Sequence, residues 1–385
     1  MTEMKAPIPL EQPSSMCNDS SACEGGASLR RRMPGRVTSV STDTGPNFVA
    51  GQSVRKGDCL RIGSGDDQKC VKLVCITENS QENRRLLKTD SDDLEAAPPP
   101  SEDWTSPKHL MKALLAEAIG TFIIVIFGVG SVCTVVTTGA QQGLWQVAVV
   151  WGFGVTLAIL CTGEASGAHL NPAVSLAFLL VRPGDVFSPR WTAGLYRCLL
   201  YMLAQTFGAV IGGAINLGVF GSAIIAFERA KDISRGQPGS ELSAMMFGEY
   251  FPNPGFVGDK KPLQNSDISP FSAFCIEVWG TMIKCFVIFM LTHDKNKILG
   301  KASRPMVPYF IGFTVAGLIS LYAPLTQAGW NPARDFGPRL VAAFAGWGEI
   351  AIPGPRGGFW VYILGPLVGG PIGAGLAEAF VFISL

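Results

Sequence analysis

Three short motifs in this chain each occur twice, always 160 residues apart. Glu117-x-x-Gly120-Thr121 returns as Glu277-x-x-Gly280-Thr281, Gly152-Phe153-x-Val155 as Gly312-Phe313-x-Val315, and Asn171-Pro172-Ala173 as Asn331-Pro332-Ala333. A single Asn-Pro-Ala pair arises easily by chance, but three motifs on one offset do not, so the chain holds two copies of one unit. Each copy contains three apolar runs. In the first they are Leu114–Val136, 23 residues with Glu117 as the one charge, Leu144–Gly163, 20 residues without charge, and 193–217. In the second they are 272–292, Met306–Ala323 without charge, and 358–382. A bilayer core of about 30 Å needs about 20 apolar residues per helix, so these are six membrane spans. Three is odd, so the second copy enters the membrane from the opposite side, and the repeat is inverted. The expected fold is an all-α membrane protein of six transmembrane helices and two re-entrant half-helices.

Those half-helices are read from the Asn-Pro-Ala motifs. Each heads an apolar segment too short to span, Ala173–Val181 and 332–345. Asn is a good N-cap and Pro suits the first helical turn. Inverted symmetry brings the two helix starts together near the bilayer midplane, where irregular backbone is tolerated only inside protein or beside a water-filled cavity. With the Asn oxygens capping the helices, their amide N–H groups are left to point into that cavity. Two N-termini then concentrate partial positive charge at one place. Water and hydroxyl oxygens accept hydrogen bonds there, while cations and protons are repelled.

The rest of the chain is different in character. Residues 1–107 are polar, contain Gly, Ser and Pro, and run to Pro98-Pro99-Pro100, which is the composition of a disordered tail. Within it, Lys69–Ile76 has strand-like composition. Arg30-Arg31-Arg32 precedes Thr38, Ser39, Ser41 and Thr42, a pattern open to a kinase or to anionic lipid, although an ordinary solvated cluster is the preferred reading. The net charge of +1 does not point to nucleic acid. Of ten cysteines, five lie in the tail and five in or near the spans, with no zinc spacing, and free thiols are expected. The first thirty residues lack an apolar signal-peptide core, so the first span serves as the insertion signal.

Basic residues set the orientation. Lys108 and Lys112, then Arg182, Arg190 and Arg197, then Lys295, Lys297, Lys301 and Arg304 all fall on one side of six alternating spans. Thr137–Gly143, on the other side, is uncharged. Both termini are therefore expected in the cytoplasm and the long loop of about 218–270 outside, in an integral multi-pass protein with the plasma membrane as the preferred location. The channel domain is expected over 108–385, with repeat halves at about 110–217 and 270–382.

The stretches Ser166-Gly-Ala-His-Leu-Asn171-Pro-Ala-Val174 and Asn331-Pro-Ala-Arg-Asp-Phe-Gly-Pro-Arg-Leu340 resemble the two pore loops of aquaporins. The resemblance spans about 110–382 and implies six tilted helices, one pore per subunit and a homotetramer. Asp335 after Arg334, with Arg339 four positions on, resembles the glycerol-facilitator branch. By distance from the two Asn residues, the resemblance implies a selectivity filter of Trp151, Ile319, Ala328 and Arg334. Trp151 resembles the glycerol-facilitator residue. Ile319 and Ala328 depart from that branch, which carries Gly and an aromatic there, and the set is more similar to plant nodulin-like intrinsic proteins. The absence of His at 319 counts against a water-selective channel. Tyr362 stands where glycerol channels usually carry Pro.

The likeness also suggests roles for the remaining polar residues. Arg334 would donate to a solute hydroxyl and raise a positive barrier; its structural alternative is an ion pair with Asp335. His169 is expected as a hydrogen-bonded pore-loop residue, with a pH gate as the alternative. Glu117 and Glu277 would accept hydrogen bonds from pore-loop backbone. Trp330 is expected to pack. Gly208, Gly212, Gly213, Gly369, Gly370 and Gly373 permit close helix packing. Lys284, seven residues after Glu277, either bridges to that carboxylate or snorkels. The function expected is passive passage of glycerol-sized neutral solutes and water, with urea, ammonia and metalloid acids as further candidates. No enzyme chemistry, cofactor or metal is expected. A water-selective channel and a non-conducting regulatory membrane protein are the rival readings.

Overall fold

The computed structural model describes residues 59–62, 69–72 and 106–384, apart from 142, 188–190, 256–262 and 297–300. The chain divides into two compact units, Met1–Pro100 and Ser101–Leu385. In the first, strands β1 (Cys59–Ile62) and β2 (Lys69–Lys72) pair antiparallel, Cys59 opposite Lys72 and Ile62 opposite Lys69. β2 falls in the stretch with strand-like composition. The basic cluster at 30–32 and the Thr and Ser residues after it lie outside the described residues.

The second unit is helical. Six of its helices are long and apolar enough to cross a membrane. They are α1 (Pro107–Thr138), α2 (Leu144–Ser166), α5 (Trp191–Ala230), α7 (Pro270–Thr292), α8 (Val307–Thr326) and α10 (Val361–Ser384). The half-helices are α3 (Pro172–Val181) and α9 (Pro332–Ala342), and α4 (Pro183–Val186) and α6 (Glu241–Ala244) are single turns. Helix starts follow local chemistry. Ser106 caps α1 by accepting from the His109 N–H, and Ser269 caps α7 by accepting from that of Ser272, each followed by Pro in the first turn. Gly139 ends α1 in the left-handed region at φ 63°.

Helix packing rests on absent side chains. A Cβ on Gly208 would sit 2.0 Å from the Ala118 carbonyl oxygen, and one on Gly369 would sit 2.2 Å from that of Val278, the repeat-mate of Ala118. One turn further on, Gly212 abuts Val125 and Gly373 abuts Met282. These glycines let α5 ride on α1 and α10 on α7 at backbone contact. Between the two halves, Gly152 on α2 meets Gly312 on α8. A Cβ on either would lie 2.7 or 2.3 Å from the other's carbonyl oxygen. That is the reason for the repeated Gly-Phe-x-Val: its glycines face each other across the pseudo-twofold axis, and Phe153 and Phe313 turn outward and are exposed. The outer face is apolar throughout, with Leu199, Leu203, Phe207 and Ile211 of α5 exposed, the reverse of a water-soluble surface.

The loop expected from about 218 begins later. Helix α5 runs on to Ala230, because 218–230 contains no helix stop and its end is docked. Glu228 accepts from the Arg235 guanidinium at 2.9 and 3.0 Å, and Arg235 lies 3.9 Å over the Trp347 ring. The apolar run of 193–217 is followed by 218–227, also uncharged, and Glu228 and Arg229 lie in the last turn of the helix. The middle of the loop that follows, 243–253, is inside the protein. Met245, Met246, Phe247, Tyr250 and Phe251 are all buried, closing one end of the bundle.

Candidate transport pore

Each pore loop is an irregular pentapeptide between a long helix and a half-helix. In both, the backbone enters the left-handed region at matching places: Gly167 and Gln327, Ala168 and Ala328, Leu170 and Trp330. Non-glycine residues hold that conformation at a cost of about 1–2 kcal/mol each, so something must fix it. The fixing group is a carboxylate. Glu117 accepts from the Ser166 hydroxyl (2.6 Å), the backbone N–H of His169 (2.9 Å) and Leu170 (2.7 Å), and the Gln205 amide (2.7 Å). Glu277 accepts from the repeat-mates of the first three, the Thr326 hydroxyl (2.7 Å) and the N–H of Gly329 (3.1 Å) and Trp330 (2.7 Å). The Gly of Glu-x-x-Gly-Thr makes room for the residue before Asn. A Cβ on Gly120 would lie 2.4 Å from the Leu170 side chain, and one on Gly280 would lie 2.2 Å from that of Trp330.

The loops deliver the two Asn residues to each other. Asn171 caps α3 through the Ala173 N–H (2.9 Å), and Asn331 caps α9 through those of Ala333 (3.1 Å) and Arg334 (3.2 Å). Pro172 and Pro332 fill the first turn of each half-helix. The amide groups cross over: Asn171 donates to the Trp330 carbonyl (3.0 Å) and Asn331 to that of Leu170 (2.9 Å). One N–H of each Asn is therefore spent on the opposite loop, and the second is left for the cavity that both residues line.

That cavity measures about 160 Å³. One wall is aliphatic, formed by Ile124, Val155, Ile159, Ile288, Ile311 and Val315. Polar groups reach it from His169, Asn171, Lys284, Asn331 and Arg334. A smaller hollow of about 20 Å³ lies toward Glu249 and Asn253. Trp151, Ile319 and Arg334 line both spaces, so the passage narrows between these three, and Ala328 lines the larger one. The Arg334 guanidinium lies 4.1 Å from the Trp151 ring centroid, a cation–π distance. Gly128 on α1 gives the indole its place, since a Cβ there would come within 2.1 Å of the ring.

Arg334 is ion-paired, but with Glu249 of the long loop rather than with Asp335. Asp335 instead binds Arg339 at 2.7 and 2.9 Å and accepts from the Glu249 N–H at 2.8 Å. Arg339 also donates to the carbonyls of Glu249 (2.5 Å) and Ala351 (2.9 Å). Gln327 accepts from the Tyr250 N–H at 2.8 Å. Half-helix α9 thus straps the loop across the mouth and holds one carboxylate against the pore arginine. Sequence reading missed Glu249 and Gly128. The signal for Glu249 was faint, one acid among several in a mixed-charge loop; Gly128 carried none, being one glycine among many in an apolar run.

The other expected residues are placed as follows. The His169 Nδ1 lies 3.1 Å from the Ser175 hydroxyl, and its ring stacks on Phe178 at 4.5 Å. Trp330 packs on Gly280 and also lines the cavity. Tyr362 is buried behind the second loop against Gly329. Lys284 neither bridges nor snorkels: it donates to the Trp330 carbonyl at 2.5 Å and makes no ion pair among the described residues. Glu277 is already committed to its own loop.

Six spans in inverted halves, with two half-helices meeting end to end at a lined cavity, define a membrane channel. Residues 103–377 match the family described as Major intrinsic protein. The chain is 38% identical over 282 residues to the glycerol uptake facilitator protein of Pseudomonas aeruginosa, covering 73% of this chain and 89% of that one. It is 36% identical over 262 residues to the glycerol uptake facilitator protein of Escherichia coli K12, covering 68% and 84%. To the propanediol uptake facilitator PduF of Citrobacter freundii it is 35% identical over 266 residues, covering 68% and 89%. Among solved structures, the aquaglyceroporin from Plasmodium falciparum shares the fold, with a TM-score of 0.58 at 23% identity over 71% of this chain and 100% of that one. The protein therefore belongs to the major intrinsic protein family, the aquaporin superfamily. It is a multi-pass membrane channel and not an enzyme.

Proposed function

We propose that this channel passes glycerol and other small uncharged polyols, together with water, down their gradients. The observation that carries the reading is the pairing of an aliphatic wall with a line of donors. A polyol has a carbon edge and a hydroxyl edge. Trp151, Ile319 and the aliphatic wall suit the first. Arg334 and the free amide N–H groups of Asn171 and Asn331 suit the second. The relatives named for glycerol and propanediol uptake support the same solute class. Two half-helix N-termini and Arg334 disfavour cations and protons at the centre. Ala328, where an aromatic is usual, leaves the filter more room, and urea, ammonia and metalloid acids are further candidates. Asn171, Pro172, Ala173, Asn331, Pro332 and Ala333 build the central donor site. Trp151, Ile319, Ala328 and Arg334 form the filter, while Glu117, Glu277, Asp335 and His169 hold the pore in shape.

The protein works as a homotetramer in the plasma membrane with both termini in the cytoplasm. The apolar outer face of α5 suits lipid or a neighbouring subunit, and the basic residues between spans favour that orientation. The test is stopped-flow light scattering of proteoliposomes under separate glycerol and water gradients. Fast glycerol entry, lost in Arg334→Ala, is the expected result. Fast water flux with glycerol at the rate of empty liposomes would replace this reading with a water-selective channel.

A further inference from the structure

The two halves of the pore differ at a few lining positions, Trp151 against Ile311 and Arg334 against Val174, and Lys284 is a further one. Its repeat-mate, 160 residues earlier, is Ile124, and both line the cavity. The fold therefore accepts an aliphatic side chain at this place. Burying an ammonium there is costly unless it is paired and solvated. Lys284 is 6% exposed. Its one protein acceptor is the Trp330 carbonyl at 2.5 Å, an oxygen that already accepts from Asn171. An ammonium has three donors, so two remain for whatever fills the cavity.

The cations of the pore are not all held in the same way. Arg334 is neutralised by Glu249, and Arg339 by Asp335. Glu277, one helical stretch away on α7, spends its oxygens on Thr326, Gly329 and Trp330. Among the described residues, Lys284 forms no contact ion pair, unlike Arg334 beside it, and Glu277 acts on it only through space. Beside it stand the second N–H groups of Asn171 and Asn331. The ammonium and both amide N–H groups are donors, and the Trp330 and Leu170 carbonyls beside them already accept from the two Asn residues.

Resting on the pore reading above, we propose that Lys284 and the Asn171–Asn331 pair form a binding site for a small monocarboxylate anion, whose occupancy obstructs the passage of neutral solutes. The cavity of about 160 Å³ is several times the roughly 10–15 Å³ that one water requires, room for a two- or three-carbon acid. One carboxylate oxygen takes the Lys284 ammonium and the other takes the Asn N–H groups. The aliphatic walls on either side offer no replacement for the anion's hydration, so it rests at the donors rather than crossing freely.

The test compares glycolate with glycolamide, which match in size and differ in charge. Each is present at equal concentration on both sides of proteoliposomes at pH 7.5, while glycerol entry is followed by light scattering. Glycolate should slow glycerol entry in a saturable way and glycolamide should not. Lys284→Met should weaken the glycolate effect at least about tenfold, the loss expected for one charge-assisted hydrogen bond, and Lys284→Arg should keep it. Saturation-transfer NMR of glycolate on the detergent-purified protein gives a second readout that needs no flux, with a signal in the wild type that Lys284→Met loses. Equal effects of the two compounds, or a glycolate effect undiminished in Lys284→Met, would overturn the site. Should the variants not fold, the contrast between the two compounds in the wild type decides alone. Glycolate binding without any glycerol flux would leave the site standing and remove the glycerol reading. Fast glycerol flux indifferent to glycolate would do the opposite.

Discussion

Gly128→Ala isolates the support of the pore tryptophan in a single methyl group. A Cβ at 128 would come 2.1 Å from one ring carbon of Trp151 and 2.2 Å from two more. Carbon atoms in proteins rest about 3.5–4.0 Å apart, so the indole must move by about 1.5 Å or α1 must back away. Overpacking of this kind costs about 1–3 kcal/mol, against the gain of up to about 1 kcal/mol that Ala brings over Gly in a helix. The net expectation is a loss of about 1–2 kcal/mol. The functional effect should exceed the stability effect, because Trp151 lines the narrow part of the passage and stacks with Arg334 at 4.1 Å. Misplacement by about 1 Å at a positioning site can cost about a hundredfold in rate, an upper bound for transport through a pore. The expected result in proteoliposomes is a glycerol rate reduced about tenfold or more, with water flux reduced less. Gly218→Ala and Gly221→Ala on α5 are the controls, since a Cβ at either meets nothing within 4 Å. Both should leave the glycerol-to-water ratio unchanged. A Gly128→Ala channel that folds and keeps the wild-type ratio would refute the claim that Trp151's position sets solute passage.

Glu249→Gln should weaken both the loop strap and the filter. Removing one partner of a fully buried ion pair costs about 3–5 kcal/mol, and the open cavity beside Arg334 lowers that to about 2 kcal/mol. A lower unfolding temperature in detergent and a fall in glycerol flux are expected, and unchanged values in both would show that Glu249 does not hold Arg334. Gly312→Val places atoms where a Cβ already lies 2.2 Å from the Thr156 hydroxyl and 2.3 Å from the Gly152 carbonyl oxygen. The two halves should then fail to close, read as loss of the monodisperse peak in gel filtration; a normal elution profile would contradict close α2–α8 contact.

Much of the architecture could be read from the chain because membrane burial leaves a strong signal. Hydropathy gives the spans, and the constant offset gives the inversion, since both depend on local composition and count. The half-helix starts were also legible, as Asn-Pro carries its own capping chemistry and α3 and α9 begin at Pro172 and Pro332. The end of α5 was less so. The helix runs 13 residues beyond 217, to Ala230, where Arg235, stacked on Trp347, docks its last turn through Glu228.

Sequence by itself determined the six spans, the two half-helix starts and the inverted repeat, because each is set by residues close together in the chain. Tertiary structure alone decided which partners the charged groups took. It set Glu249 rather than Asp335 against Arg334, gave Asp335 to Arg339, and left Lys284 on the Trp330 carbonyl rather than on Glu277. Sequence proximity offered Asp335 and Glu277 as partners, but Asp335 is engaged by Arg339 one turn on and by the Glu249 N–H, and Glu277 by donors of its pore loop. Such pairing depends on where folded loops bring their charges, and in a buried site the group that arrives with the right geometry excludes the nearer one in sequence.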